Sequence, residues 1–254
     1  MPGAGTVEDR IKPALRGIVS EGGENLVAVY LTGSWQRGDA LPDSDIDFVL
    51  VLRDEAPEEI ASRFSRLRRS LSAKLGVDIS LLLKPLSAVL EWGPGIKHDS
   101  RHLYGRDIRN QIPEPTPEQY AARLTEIAER FSRSLRHGQD VQLADLPYPR
   151  PDDEFFGYTL DPGAAKPLVP LFSLTFIATA KIARHGRMVF SKLDIPRLYA
   201  EHVGDAFTPW IEELFSWGRH RWHYQIPVEP EGRARLRGLC ARALDWERDF
   251  WTPR

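Results

Sequence analysis

The stretch Ile112-Pro-Glu-Pro-Thr-Pro117 packs three prolines into six residues. Proline fixes φ and lacks the N–H that a helix interior or a central strand needs, so no regular element runs through this stretch. The chain must fold on either side of it. At 254 residues it has the length of one or two domains. The break predicts domains at 1–112 and 113–254.

The two sides read differently. Before the break, helix-like and strand-like segments alternate. Val7 to Ser20 reads as a helix. Leu26 to Thr32 (LVAVYLT) is an apolar run suited to a buried strand, and Asp47 to Leu52 (DFVLVL) is a second. Glu58 to Leu75 carries Ile60, Phe64, Leu67, Leu71 and Leu75 at amphipathic helix spacing. Val77 to Leu83 is a third strand. Strands alternating with helices predict an α/β or α+β domain, a mixed sheet flanked by helices. After the break, four helices are expected: Pro117 to His137, Pro167 to His185 closed by Gly186, Pro209 to Tyr224, and Arg233 to Trp251. Gly138 to Ala165 reads as an irregular loop. The second domain is expected to be an all-α helical bundle.

Composition narrows the function classes. Acids number 36 against 34 bases, a formal charge of −2, which does not favour a protein that coats nucleic acid or a membrane surface. Arg66, Arg68 and Arg69 crowd one helix and keep a nucleic-acid reading in view as a lesser alternative. One cysteine, Cys240, excludes an internal disulfide framework and a cysteine-based zinc cluster. No apolar stretch approaches the roughly 20 residues needed to span a bilayer. Met1 to Arg10 lacks an apolar signal core, so a cytoplasmic location is expected.

The informative segment is Leu31-Thr-Gly-Ser-Trp-Gln-Arg-Gly-Asp-Ala-Leu-Pro-Asp-Ser-Asp-Ile-Asp47, followed by the second strand. Residues i and i+2 of a strand share a face. Asp45 and Asp47 would therefore stand side by side, with Ile46 toward the core. Two such carboxylates repel unless a cation lies between them. Mg2+ suits the position, since it takes hard oxygen ligands and completes its shell with water and substrate phosphates. Asp78, flanked by apolar strand residues, would join them if its strand pairs beside theirs. Gly33 lets backbone N–H groups approach a phosphate, and the Ser34 hydroxyl adds a donor. Asp-x-Asp alone more often marks a solvated strand edge. The order of all the parts is what points to a metal-nucleotide site.

This order resembles the signature of the DNA-polymerase-beta-type nucleotidyltransferase superfamily: Gly-Ser, a spacer, Asp-x-Asp, and a third acid on a later strand. It is most similar to the minimal nucleotidyltransferases and the streptomycin and spectinomycin adenylyltransferases, which Arg37-Gly38 and Pro42-x-Ser44 also suit. The resemblance implies an N-terminal catalytic domain in which Asp45, Asp47 and Asp78 hold magnesium, with Asp78 as ligand or as base for an acceptor hydroxyl. Gly33, Ser34, Arg37 and Ser44 would serve the nucleotide. Leu103-Tyr-Gly-Arg-Asp107 resembles the segment that closes that domain. Phe172 to Lys192 resembles a helix of the second domain, followed by a lysine, Lys192, that would reach the triphosphate from across a cleft. An arginine of that helix has no clear match; Lys181 and Arg184 are the positions that would stand in.

The implied reaction is Mg2+-dependent transfer of AMP from ATP to a hydroxyl of a small acceptor, of which an aminoglycoside-type antibiotic is one class. An antitoxin or regulator that binds or adenylylates a partner protein is the alternative. A catalytically silent nucleotide-binding module is disfavoured by the presence of all three acids. Several residues have a plain reading beside a sharper one. Trp35 either stacks on a base or packs. Trp210, Trp217, Trp222 and Tyr224 are read mainly as core. Glu201, Asp205, Glu212 and Glu213 are read mainly as a solvated face rather than a surface for a polycationic acceptor, and Cys240 as a packing thiol.

Overall fold

A computed structural model describes residues 7–41, 44–136, 154–156, 158 and 160–252. The chain divides into two compact units, Met1–Glu114 and Pro115–Arg254. Pro42 and most of the segment read as a loop after Gly138 lie outside the described residues.

The first unit is a mixed four-stranded sheet with helices on both faces. Its elements run α1 (Val7–Gly22), β1 (Leu26–Thr32), α2 (Gly33–Arg37), β2 (Ile46–Leu52), α3 (Glu59–Leu75), β3 (Ile79–Pro85), α4 (Leu86–Glu91), α5 (Pro94–His98) and β4 (Arg101–Gly105). The strand order is β3-β2-β1-β4. β1 lies antiparallel to β2 and β4, while β2 and β3 are parallel. A parallel pair needs a crossover element, and α3 supplies it.

Strand alternation sorts the side chains into two cores. Ile46, Phe48, Leu50 and Leu52 point toward Ile11, Ile18, Ile60 and Phe64 of α1 and α3. Tyr30, Val49 and Val51 point the other way, toward Val89 and Ile96 of α4 and α5 and Ile108 beyond β4. Tyr30 is wholly buried. Its hydroxyl donates to Asp107 Oδ1 at 3.1 Å and accepts the Ile108 N–H at 2.9 Å, and burial pushes its pKa up to about 12. Arg109 chelates Asp107, with its NH2 at 2.7 Å from Oδ2, and holds that carboxyl below the usual range. The Leu103–Asp107 segment thus ends in a knot tied to β1. Tyr30→Phe leaves the Ile108 N–H buried without its partner and is expected to lower stability by about 1–3 kcal/mol. Urea unfolding checks this: the midpoint should fall with an unchanged m value.

Among its described residues the second unit is helical. It contains α6 (Pro117–Arg136), α7 (Val169–Ser173), α8 (Thr175–Arg184), α9 (Ile195–His202), α10 (Thr208–Glu213), a π-helix (Leu214–Arg221) and α11 (Pro230–Trp251). Trp210, Trp246, Tyr199, Leu171, Ile177 and Leu239 build its core. Cys240 is buried there as a packing thiol, and burial pushes its pKa up to about 12. Two expected helices are interrupted. The one from Pro167 breaks at Leu174, where hydrogen bonds tighten to three-residue spacing: Leu174 N–H to Leu171 O at 3.3 Å and Ile177 N–H to Leu174 O at 2.9 Å. The one from Pro209 widens into the π-helix, which ends at Arg221; His223 and Tyr224 follow in a turn, both at positive φ.

Candidate active site

Gly33 is tightly set by the local chain. It follows β1 and opens α2 with φ +72°, a conformation costly to any residue with a Cβ. A Cβ built there would overlap Asp47 Oδ2. The turn after β1 therefore presses its backbone against the Asp47 carboxylate, and only glycine leaves room. α2 then closes on itself: the Gly38 and Asp39 N–H groups bond to the Ser34 carbonyl at 2.9 and 3.0 Å.

The parallel ladder brings in the third strand. Ile46 pairs with Ile79 and Asp47 with Ser80, and the Ile46 N–H donates to the Asp78 carbonyl at 2.8 Å. Ile46 and Ile79 are buried in the core on the α1/α3 side. By alternation, Asp45 and Asp47 share the opposite face with Asp78 and Ser80. Across the antiparallel ladder Asp47 stands opposite Thr32. Asp45 and Asp47 are half-buried and Asp78 is exposed. Asp45 and Asp78 sit just ahead of β2 and β3; β3 begins at Ile79, two residues later than the expected start at Val77.

The donor set suits a hard cation held in part by its substrate. Among the described residues no three His, Cys, Asp or Glu side chains group as a metal cage. Mg2+ does not require one. It is commonly held by one or two carboxylates and completed by water and phosphate oxygens, and the oxygens of Asp45 and Asp47 fit that pattern. Asp78 lies on the same face from the neighbouring strand.

The remaining expected residues have definite surroundings. Ser44 is 7% exposed; its hydroxyl accepts the Leu41 N–H at 2.8 Å and its carbonyl accepts Trp35 Nε1 at 3.0 Å. Both residues thus fasten the loop between α2 and β2, and Trp35 carries the Arg10 guanidinium 5.7 Å above its ring. Arg37 pairs with Asp99 at 2.7 Å and Asp39 at 3.3 Å. Asp99 and Ser80 were missed in the sequence. Period-two alternation from Asp78 would have pointed to Ser80; nothing local to Asp99 marks it.

Lys192 lies in the second unit, exposed, at the start of a 3-10 turn (Lys192–Asp194). Lys181 pairs with Asp205, which also accepts from Tyr199 Oη at 2.9 Å and the Phe207 N–H at 3.0 Å. Burial alone would raise the Asp205 pKa, but these partners hold it below its ordinary value. Arg184 lies 5.0 Å over the Phe250 ring. The acidic helix-face residues are largely neutralised: Glu213 binds Arg235 and Arg242, and Glu201 binds Arg197. Trp210 is core, whereas Trp217 is half-buried between Arg221 and Arg235, 4.2 and 4.1 Å from its ring.

Residues 12–120 match the family model described as a nucleotidyltransferase domain. Among solved structures, the chain is similar to a toxin-antitoxin complex with AMP-PNP, at 19% identity and TM-score 0.30 over 51% of this chain and 92% of that one. It is similar to the spectinomycin adenyltransferase of Enterococcus faecialis with ATP and spectinomycin, at 13% identity and TM-score 0.46 over 94% and 100%. No curated protein matches. The family assignment rests on the domain match, which spans the sheet, the Gly33 turn and all three carboxylates. Residues 12–120 belong to the nucleotidyltransferase domain family.

Proposed function

We propose that this nucleotidyltransferase moves AMP from ATP to a hydroxyl of a small acceptor with magnesium, and that Asp45, Asp47 and Asp78 carry the reaction. The observation that supports the reading best is the shared face of the three carboxylates, with Gly33 packed on Asp47. Asp45 and Asp47 would hold magnesium together with the triphosphate. The bound ion supplies positive charge against the phosphate oxygens. Gly33 and Ser34 would line the phosphates on the β1 side.

Asp78 is the base in this reading. It directly precedes β3, which pairs in parallel with β2, and it is exposed, so an incoming hydroxyl can reach it. Asp78 takes the hydroxyl proton, the oxygen attacks the α-phosphorus, and pyrophosphate leaves. Most of the rate then comes from positioning and charge, as phosphoryl-type transfer requires little covalent help. The acceptor class, an aminoglycoside-type antibiotic, rests on the sequence resemblance.

The test is pyrophosphate release from ATP and magnesium across a panel of hydroxylated aminoglycosides. Release with at least one acceptor, and a product heavier by one AMP, is the expected result. No release with any of them, alongside AMP labelling of a co-purified partner protein, would replace the small acceptor with a protein.

A further inference from the structure

Arg37 is the last residue of α2, and its guanidinium is held by two acids. Asp99 takes NH1 at 2.7 Å and Asp39 lies 3.3 Å from Nε. The three side chains are only 17–20% exposed, so their attraction is weakly screened. Asp99 is itself fixed, since its N–H bonds to the Gly95 carbonyl at 2.9 Å and β4 begins two residues later. β4 runs beside the end of β1, with Leu31 opposite Arg101. The near end of α2 is set by Gly33 against Asp47, and the far end is tied by Arg37 to the start of β4. A guanidinium flanked by two carboxylates already has its charge compensated, which weakens its attraction for a triphosphate.

We infer that Arg37 is a positioning residue: by pairing with Asp99 it holds the Gly33–Ser34 turn in place against Asp47 and does not itself bind the triphosphate. This rests on the nucleotidyltransferase reading and adds to it a role for Asp99. The two partners of such a charge-assisted pair are energetically coupled, because removing either one takes the same contact from the other.

The experiment compares Arg37→Ala, Asp99→Ala and the double variant in the full chain, with Asp47→Asn as the control for turnover. Each single variant should lower kcat about tenfold with KM for ATP within about twofold, and the double should be no worse than the poorer single. A large rise in KM for Arg37→Ala with Asp99→Ala at wild-type level would make Arg37 a phosphate ligand and overturn the inference. Additive losses, or loss of thermal stability with kcat intact, would overturn it as well. A second readout needs no turnover: amide exchange at Gly38 and Asp39, whose N–H groups bond to Ser34. Both single variants should speed it about tenfold; unchanged protection in either rejects the tie. Wild-type turnover no higher than that of Asp47→Asn would instead count against the enzyme reading, and the exchange result would still decide the role of Arg37.

Discussion

Asp47→Asn is expected to reduce AMP transfer by about 10³-fold or more while the protein stays folded. The amide keeps the shape of the carboxylate but withdraws the anionic oxygen proposed to face magnesium. Charge stabilisation by a bound metal is worth several kcal/mol, and each 1.36 kcal/mol is tenfold in rate. Asp47 faces away from the core shared with α1 and α3, where Ile46 and Phe48 carry the packing. Its loss also relieves repulsion with Asp45, two residues away on the same face. Stability should therefore change by no more than about 1 kcal/mol. Pyrophosphate release and thermal unfolding on one preparation check both halves. Activity within tenfold of wild type would remove Asp47 from the reaction.

Gly33→Ala should lose both activity and stability, for separable reasons. Alanine at φ +72° costs about 1–2 kcal/mol in backbone conformation, wherever it occurs. The added methyl also overlaps Asp47 Oδ2, so the carboxylate or the turn must move. A displacement near 1 Å at a reacting centre costs about 100-fold in rate. Gly76→Ala is the matched control: its φ is +61° and a Cβ there meets nothing within 4 Å. That variant should show the stability loss with activity retained. Equal turnover in the two would mean that contact between the Gly33 turn and Asp47 has no part in catalysis.

Much of the first unit could be read from residue order. Strands at Leu26–Thr32 and near Asp47–Leu52, the amphipathic helix ending at Leu75 and the helical second unit all appear, because each has an apolar pattern at its own period. β4 was not foreseen. It is five residues long with its ends exposed, too short for alternation to stand out. The breaks at Leu174 and after Glu213 were missed for a related reason. Apolar spacing marks a helical face but is insensitive to a single hydrogen bond slipping from four residues to three or five.

The chain by itself determined that Asp45 and Asp47 share a face with Ile46 turned inward, since two-residue alternation follows from the bonding of an extended backbone. It likewise put a glycine where the strand turns. Only the tertiary structure decided that the strand following Asp78 pairs alongside β2 and that Arg37 meets Asp99, 62 residues away. Those neighbours depend on which strands pair and in what register, a choice made by the long-range packing of the sheet between its helices.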